Sequence, residues 1–439
     1  MKKLLLFLFL LPLVVIGQEP CGSDEYNKIF IDQNPQHYQD IEDRIKQETV
    51  ARRQGINSTT PYSPVIIPIV IHIVYNETIS LFQNLPDSVI YQQIEVINRD
   101  FNLLNSDTST LTDTLKQLAD DFKISFQLVT QDSLGNPHNG IIRVQTNKTN
   151  FGYWDNAVKF DSLGGSDPWD TKKYMNIWIC DLGGGLLGYS QFPGGNDRTD
   201  GNVVDFAVVG NQLYPWTYGP AYAGGRVLVH EIGHWLNLFH PWGNSGACSE
   251  DYVDDTGLQD GPTYPNYGCP DTSFSNCTPS EREAVKIYMD YCGDSCMVMF
   301  TKGQVERGRI SLDLERQDMM IPNIPVDTPE EVVKTTVKIY PTITSGDINV
   351  EIGSKIYNAT TFTIKVYDIK GSIVYNETIP LSNQFKVNLH NLTNGLYVMN
   401  IMVGSEHLIT QKLTISKYNP FGTELDEKEE KIKELEKNE

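Results

Sequence analysis

Two histidines and a glutamate stand at a spacing that can bind a metal ion and activate water. His230 and His234 are four residues apart, so on a helix they project from one face, one turn apart. Both imidazoles can then reach a single ion, which is the HExxH arrangement of zinc sites. Glu231 is offset by about 100° around the helix. It therefore lies beside the ion, where a general base belongs.

His240 offers a third nitrogen, provided that the helix ends between His234 and His240. A zinc ion with three protein ligands keeps its fourth position for water, which is the catalytic arrangement. The alternative is a chance HExxH match on an ordinary helix, and the third histidine makes chance a much poorer explanation. The sequence therefore predicts zinc bound by His230, His234 and His240, with Glu231 as the catalytic base.

The wider pattern resembles the metzincin signature HExxHxxGxxH, with Asn237 where that signature has glycine. Asparagine tolerates the left-handed backbone that such a turn needs. Met289, about 50 residues further on, stands where metzincins carry their methionine turn. The stretches HEIGHWLNLFHPWG and MDYCGDSCMVMFTKGQ look like the pappalysin family of metzincins. The resemblance covers most of residues 65–315.

This resemblance implies roles for further residues. Tyr291, two residues after Met289, would assist the developing oxyanion through its hydroxyl. Met289 would form a hydrophobic floor beneath the metal without a direct chemical role. The strand predicted at 203–209 would be the edge of the cleft, along which a protein or peptide substrate adds as a further strand.

The cysteines of this region favour disulfides, because the chain carries an export signal and disulfides form outside the cytoplasm. The pappalysin resemblance implies two of them, Cys248–Cys277 and Cys269–Cys296. Cys180 and Cys292 are either free or bridged to each other.

The long segment 241–285 is rich in Gly, Pro, Asp and Cys and needs internal support. Asp254, Asp255 and Thr256 offer the hard oxygen ligands that Ca²⁺ prefers, and the family resemblance implies bound calcium here. The alternative is a solvated acidic turn.

The first residues, MKKLLLFLFLLPLVVIG, have the basic start, apolar run and small-residue exit of a secretory signal peptide over 1–17. The apolar run is short for a membrane span, so no membrane span is predicted. The formal net charge of −21 argues against a nucleic-acid partner, since phosphate binding needs clustered Lys and Arg.

Residues 18–62 are interpreted as a propeptide, with an amphipathic helix at 36–53. A thiolate is a good zinc ligand, so Cys21 could occupy the position of the water and keep an enzyme latent until the segment is cut near Arg52-Arg53. The alternative is a free or intermolecular thiol in an unstructured leader.

From residue 63 to 322, strands alternate with helices, which predicts an α+β catalytic domain with an α/β upper half. A proline-rich linker follows at 323–336. Residues 337–417 show period-two alternation broken by Gly and Asn, which predicts a small all-β antiparallel sandwich. Its motifs YPTITSG, VYDIKG and LTNGLYV resemble the C-terminal sorting domain of type IX secretion, with a binding module as the alternative. A charged tail occupies 418–439.

Together these features predict a secreted zinc-dependent endopeptidase that cleaves proteins or peptides, is made as a zymogen and is exported by the type IX machinery. The alternative is a catalytically silent adhesion or binding protein on the same scaffold at the bacterial surface. The presence of Glu231 and Tyr291 favours the enzyme.

Overall fold

The computed structural model describes residues 20–56, 62–80, 82–210, 220–243, 246–265, 269, 272–274, 276–278, 282–322, 337–352, 361–380, 382, 384–403 and 406–417. The predicted signal peptide, linker and charged tail lie outside these residues. The chain divides into two compact units, Met1–Ile324 and Pro325–Glu439. Among the described residues, none of the helices has the length and apolar character needed to cross a bilayer.

The first unit contains six helices in its described part. They are α1 (Ser23–Gln33), α2 (Pro35–Arg53), α3 (Asp87–Phe101), α4 (Asp113–Leu118), α5 (Arg226–Trp235) and α6 (Lys302–Glu315). Its strands are β1 (Val65–Tyr75), β2 (Ala119–Asp120), β3 (Ile124–Leu128), β4 (Ile141–Gln145), β5 (Met175–Cys180), β6 (Gly188–Ser190), β7 (Asn202–Asp205), β8 (Thr272–Phe274), β9 (Arg282–Ala284), β10 (Phe300–Thr301) and β11 (Ile321–Pro322).

The upper half of this unit is a mainly parallel sheet built around β1. Strand β1 pairs in parallel with β3, β4 and β5, and β5 pairs in parallel with β7. Strand β6 runs antiparallel to β7, and the sheet order is β11-β1-β5-β7-β6. This arrangement confirms the predicted α/β upper half.

The core forms because β1 is apolar on both faces while the helices are apolar on one. Ile67, Ile69 and Ile73 of β1 are fully buried, as expected for a strand covered on both sides. On α3, the buried residues include Val89 and Phe101. Helix α5, which carries the predicted metal ligands, packs into the same hydrophobic core.

Helix α2 of the N-terminal segment docks on helix α6 near the end of the first unit. Ile41 and Ile45 are buried and form a cluster with Ile310. The predicted amphipathic helix at 36–53 is therefore confirmed, and its apolar side faces α6 rather than solvent.

Two disulfides support the loop region after α5. Cys248 pairs with Cys277 and Cys269 pairs with Cys296, as the family resemblance implied. Cys180 and Cys292 are not bridged to each other; both are free and buried.

The second unit is an all-β domain with two sheets. Its strands are β12 (Val337–Tyr340), β13 (Ile343–Thr344), β14 (Asp347–Ile352), β15 (Thr361–Tyr367), β16 (Ile373–Pro380), β17 (Gln384–Asn388), β18 (Gly395–Val403) and β19 (Glu406–Ile415). The sheet orders are β12-β14-β17 and β13-β19-β18-β15-β16. All pairs are antiparallel except β13 with β19. Both sheets contribute to one hydrophobic core, as predicted for a sandwich.

Candidate active site

Helix α5 presents two histidine rings on one face. The helix begins after Gly225, whose φ of 77° is in the left-handed region, and it is anchored by buried apolar residues on its other faces. His230 and His234 lie one turn apart, and their Nε2 atoms are 3.0 Å from each other. The predicted i, i+4 arrangement is therefore what the helix produces.

A tight turn after the helix returns the chain to the same point. Asn237 has a φ of 70°, the left-handed conformation that glycine provides in the metzincin signature. The amide of Leu238 then donates to the carbonyl of Gly233. His240 consequently lies with its Nε2 atom 3.2 Å from that of His230 and 3.1 Å from that of His234.

The opposite nitrogen of each ring has an oxygen partner. The Nδ1 atoms of His230 and His234 donate to the carbonyls of Tyr288 and Leu238 at 2.7 and 2.8 Å. Burial lowers the pKa of His230 to about 3 and lowers that of His234 as well, so both rings are neutral. With Nδ1 holding the proton, Nε2 presents its lone pair, which is how histidine ligands are oriented in metal sites.

The sulfur of Cys21 completes the cluster. It lies 3.4 Å from Nε2 of His234, and the four donor atoms are all within 4.8 Å of one another. Three imidazoles and a thiol are the ligand types that zinc prefers, so the donor set fits that ion. Burial and the nearby Glu231 carboxylate raise the pKa of the Cys21 thiol; a bound dication would have the opposite effect.

Glu231 lies beside the cluster and outside it. Its side chain is fully buried, and burial raises its pKa to about 7, which hydrogen bonds partly oppose. Strand β6 can lie close to the Glu231 side chain because residue 188 is glycine. A Cβ on Gly188 would lie 2.7 Å from Glu231 Oε1.

The floor and one wall of the site come from the segment after the disulfide loop. Met289 is buried beneath α5, and a Cβ on Gly233 would lie 2.4 Å from its sulfur. Tyr291 packs edge-on against His240, with ring centroids 5.0 Å apart. Trp242 stacks on His240 with ring centroids 4.5 Å apart and packs edge-on against Tyr291. These contacts restrict the orientation of the third histidine.

The edge of the cleft is not the strand that the sequence predicted. Strand β7, which overlaps the predicted 203–209, lies inside the sheet between β5 and β6. The edge is β6, Gly188–Ser190, and the N-terminal segment pairs with it. The amide of Gly22 donates to the carbonyl of Gly188, and the amide of Leu187 donates to the carbonyl of Pro20. Cys21 and Gly188 form a parallel bridge.

The N-terminal segment also contacts the site through two side chains that sequence reasoning missed. The Ser23 hydroxyl donates to Glu231 at 2.9 Å, and Asp24 lies 2.9 Å from Nδ1 of His240. Their only sequence signal is that they follow Cys21. Trp242 was missed as well, although it stands two residues after the third histidine.

The three predicted calcium ligands have separate partners. Asp254 is exposed and pairs with Arg53. Asp255 accepts from the Thr301 hydroxyl and the Gly303 amide at the start of α6. Thr256 donates to Asp251. In the described part of the chain, these acidic side chains do not form a second group of metal-binding geometry.

Comparisons with known proteins agree with this geometry. Residues 161–313 match the peptidase family described as Pregnancy-associated plasma protein-A. An extracellular metalloprotease of Arthroderma otae is 32% identical over 188 residues, which cover 41% of this chain and 68% of that protein. An extracellular metalloprotease of Arthroderma gypseum is 28% identical over 241 residues, covering 53% of this chain and 75% of that protein.

Two solved structures from Tannerella forsythia are also similar. A mutant of promirolysin matches with a TM-score of 0.60 and 36% identity, covering 69% of this chain and 97% of that one. Mature mirolysin in complex with a cleaved peptide matches with a TM-score of 0.54 and 39% identity, covering 60% and 97%.

The fold and the histidine cluster thus define a metalloendopeptidase of the metzincin type. More particularly, the chain belongs to the pappalysin family, named after pregnancy-associated plasma protein-A. Residues 338–416 match a secretion system C-terminal sorting domain, so the protein is exported. The predicted family, enzyme class and type IX sorting domain are confirmed.

Proposed function

We propose that this protein is a zinc-dependent endopeptidase that cleaves proteins or peptides outside the cell and is made as a zymogen. His230, His234 and His240 would hold the zinc ion. The observation that carries the proposal is the convergence of their Nε2 atoms, each within 3.2 Å of the other two.

The side chains beside the cluster supply the rest of the chemistry. A zinc ion held there supplies Lewis acidity, acidifying water and polarising a carbonyl. Glu231 takes the proton of the attacking water on a carboxylate oxygen and passes it to the departing amine. With the N-terminal segment in place, burial raises the pKa of this carboxyl to about 7. Tyr291, packed against His240, donates its hydroxyl proton in a hydrogen bond to the developing oxyanion.

Substrate binds along β6 as an added strand. In the structure, the Gly188 carbonyl and the Leu187 amide form hydrogen bonds with the N-terminal segment. Once that segment leaves, these backbone groups are available to a substrate strand. Backbone pairing gives affinity with little dependence on sequence, and side-chain pockets give the preference.

Latency rests on the N-terminal segment. Cys21 occupies the fourth corner of the donor cluster, Ser23 bonds the catalytic carboxylate, and the backbone of 20–22 fills the substrate edge. The comparison with promirolysin covers more of this chain than that with mature mirolysin, 69% against 60%. The additional part of this chain covered by promirolysin is about as long as segment 20–56.

The same proposal gives the domain limits. The signal peptide is 1–17, the propeptide 18–62, the catalytic domain 63–322 and the sorting domain 337–417, with the linker and tail at 323–336 and 418–439. Cleavage near Arg52-Arg53 would release the propeptide. Both arginines are ion-paired here, Arg52 with Asp313 and Arg53 with Glu306, so release requires that these pairs break.

Calcium near Asp254, Asp255 and Thr256 stays a prediction. Any such ion would compete with the guanidinium of Arg53 for the Asp254 carboxylate. It would also have to share Asp255 with the start of α6.

Metal analysis tests the zinc assignment. We expect the processed enzyme to hold a single zinc ion per chain by mass spectrometry of metals. His240→Ala should weaken zinc binding by more than about 100-fold, because even partners of ligands contribute about 10–100-fold. His138→Ala, a histidine outside the cluster, is the control. A stoichiometric zinc content in His240→Ala, or none in the wild type, would contradict the assignment.

A second buried contact holds the propeptide, and its removal should loosen the zymogen. Glu42 of α2 forms a bidentate ion pair with Arg307 and accepts from the Asn237 amide at 2.9 Å. Breaking a buried pair costs about 3–5 kcal/mol. In Glu42→Gln we expect faster hydrogen exchange across α2 and faster limited proteolysis after Arg53.

The neighbouring carboxylate provides a matched control for this experiment. Asp43 lies on the exposed side of the same helix, where it accepts from Gln39, so Asp43→Asn should exchange at the wild-type rate. Equal exchange in all three proteins would show that Glu42 does not hold the segment.

A further inference from the structure

A tyrosine of the N-terminal segment fills a pocket in the catalytic region. Tyr26 of α1 is buried and belongs to a hydrophobic cluster whose other members come from residues 74–203. Its ring packs on Tyr189 of β6 with centroids 5.0 Å apart. The walls of this pocket therefore belong to the enzyme, and the occupant belongs to the segment that is removed on activation.

The pocket recognises the phenol hydroxyl as well as the ring. Tyr26 donates its hydroxyl proton to the Asn156 side-chain oxygen at 2.8 Å. Its oxygen accepts from the ammonium of Lys159 at 3.2 Å. The pocket thus offers an acceptor for the phenol proton and a donor for the phenol oxygen. A phenylalanine ring could make neither hydrogen bond.

Lys159 contributes a buried positive charge to the lining of this pocket, which is otherwise largely aromatic and apolar. Its ammonium is fully buried, donates to the Thr199 carbonyl at 2.7 Å, and lies over the rings of Tyr26, Trp178 and Tyr189 at 4.7, 5.3 and 5.1 Å. Among the described ion pairs it has no carboxylate partner. The Asp200 carboxylate, which pairs with Arg316, offsets only part of the cost of burying this cation, so a purely structural residue here would more readily be apolar. Burial lowers its pKa to about 7.

The pocket opens next to the strand that receives substrate. Tyr189 directly follows Gly188, the residue that bridges Cys21 at the metal cluster. An incoming peptide that pairs antiparallel with β6, the more stable pairing per residue, runs from Ser190 towards Gly188. The side chains near the pocket are then those on the N-terminal side of the scissile bond.

We propose that, once the propeptide leaves, the pocket of Tyr26 is a substrate subsite that accepts a tyrosine side chain N-terminal to the cut, with Lys159 as its specificity-determining residue. The propeptide thus occupies this subsite as well as the metal cluster. The inference rests on the proposed protease function and on propeptide release.

Peptide kinetics with the processed, zinc-containing enzyme test the proposal. Peptides share one cleavable core and carry Tyr, Phe, Glu or Ala at each position N-terminal to the cut. At one position we expect kcat/KM for Tyr to exceed that for Phe by about 10-fold, since a hydrogen bond to a charged group contributes roughly that factor. Equal rates for Tyr and Phe at every position, or a preference for Glu over Tyr, would overturn the proposal.

The variants separate the subsite from the catalytic machinery. In Lys159→Met the preference for Tyr over Phe should fall by about fivefold, because the ammonium no longer donates to the phenol oxygen. The rates for the Phe peptides, measured in parallel, report the loss of the ammonium's bond to the Thr199 carbonyl. Retention of the preference in Lys159→Met would refute the assigned role. Lys172→Met, at an exposed lysine, is the control.

A second variant covers the case in which Lys159→Met does not fold. Asn156 has a φ of 53°, so Asn156→Gly removes the nearer hydroxyl acceptor without straining the backbone. The more distant acceptor, Gln191 Oε1 at 3.3 Å, stays in place. It should lower the preference for Tyr by about 5-fold, and an unchanged preference would count against the subsite. An enzyme that cleaves no peptide at all would instead disprove the protease function.

Discussion

Replacing Glu231 with glutamine is expected to lower kcat/KM of the processed enzyme by about 10²–10⁴-fold, the usual contribution of a general acid–base group. Glutamine has the same shape, so the contact with Gly188 is kept, but it cannot take a proton from water. The Glu231 carboxylate is not among the four clustered donor atoms, so the zinc content should not change. Initial rates on a quenched fluorescent peptide and metal analysis of the same sample measure both quantities.

An exposed carboxylate on another helix gives the control for this experiment. Glu95→Gln on α3 makes the same chemical change away from the site and should keep the wild-type rate. If Glu231→Gln cleaves as fast as the wild type, another group is the base. If it loses zinc, Glu231 holds the metal instead. A wild type that binds zinc and cleaves no protein would favour a silent binding protein.

The parts of the site that depend on short sequence separations could be predicted. His230 and His234 follow from the period of one helix. His240 required only a turn in between, and Asn237 makes that turn with its left-handed backbone. These relations are local, so no knowledge of the tertiary structure was needed to find the donor atoms.

The cleft edge could not be read in the same way. Strand β6 is only Gly188–Ser190, too short to show an alternating pattern, and it precedes β7 in the chain while lying outside it in the sheet. The order of strands in a sheet is set by packing and pairing, so the strand nearest to α5 in sequence was wrongly assigned to the edge. Strand β4, Ile141–Gln145, pairs with β1 beyond the end of β3, and no local pattern in the sequence predicts that register.

Contacts between the N-terminal segment and the rest of its unit could not be predicted from the sequence either. Glu42 meets Asn237 across 195 residues of chain, and Tyr26 meets Lys159 across 133. Each side chain on its own looks like an ordinary surface residue. Asn237, which stands in place of the signature glycine, has two roles in the structure: its side chain donates to Glu42 of the N-terminal segment, and its backbone makes the turn.

Replacing Cys21 with alanine is expected to give the intact chain measurable peptidase activity, at least about tenfold above that of the intact wild-type chain. The change removes the thiol from the donor cluster and leaves a position open to water. A tenfold shift corresponds to only about 1.4 kcal/mol. The effect should be partial, because Ser23, the backbone of 20–22 and Glu42 still hold the segment in place. Initial rates must be taken while mass spectrometry shows an intact N-terminal segment.

The cobalt-substituted protein distinguishes a thiolate ligand from a thiol that merely fills space. The intact wild type should show sulfur-to-cobalt charge-transfer absorption, and both Cys21→Ala and the processed enzyme should lack it. Cys180→Ala removes another free, buried cysteine of the same unit and should keep both the absorption and the latency. If Cys21→Ala stays silent and the wild type lacks the absorption, latency depends on occupation of the β6 edge alone. In that case Glu42→Gln, rather than Cys21→Ala, should be the variant that activates the intact chain.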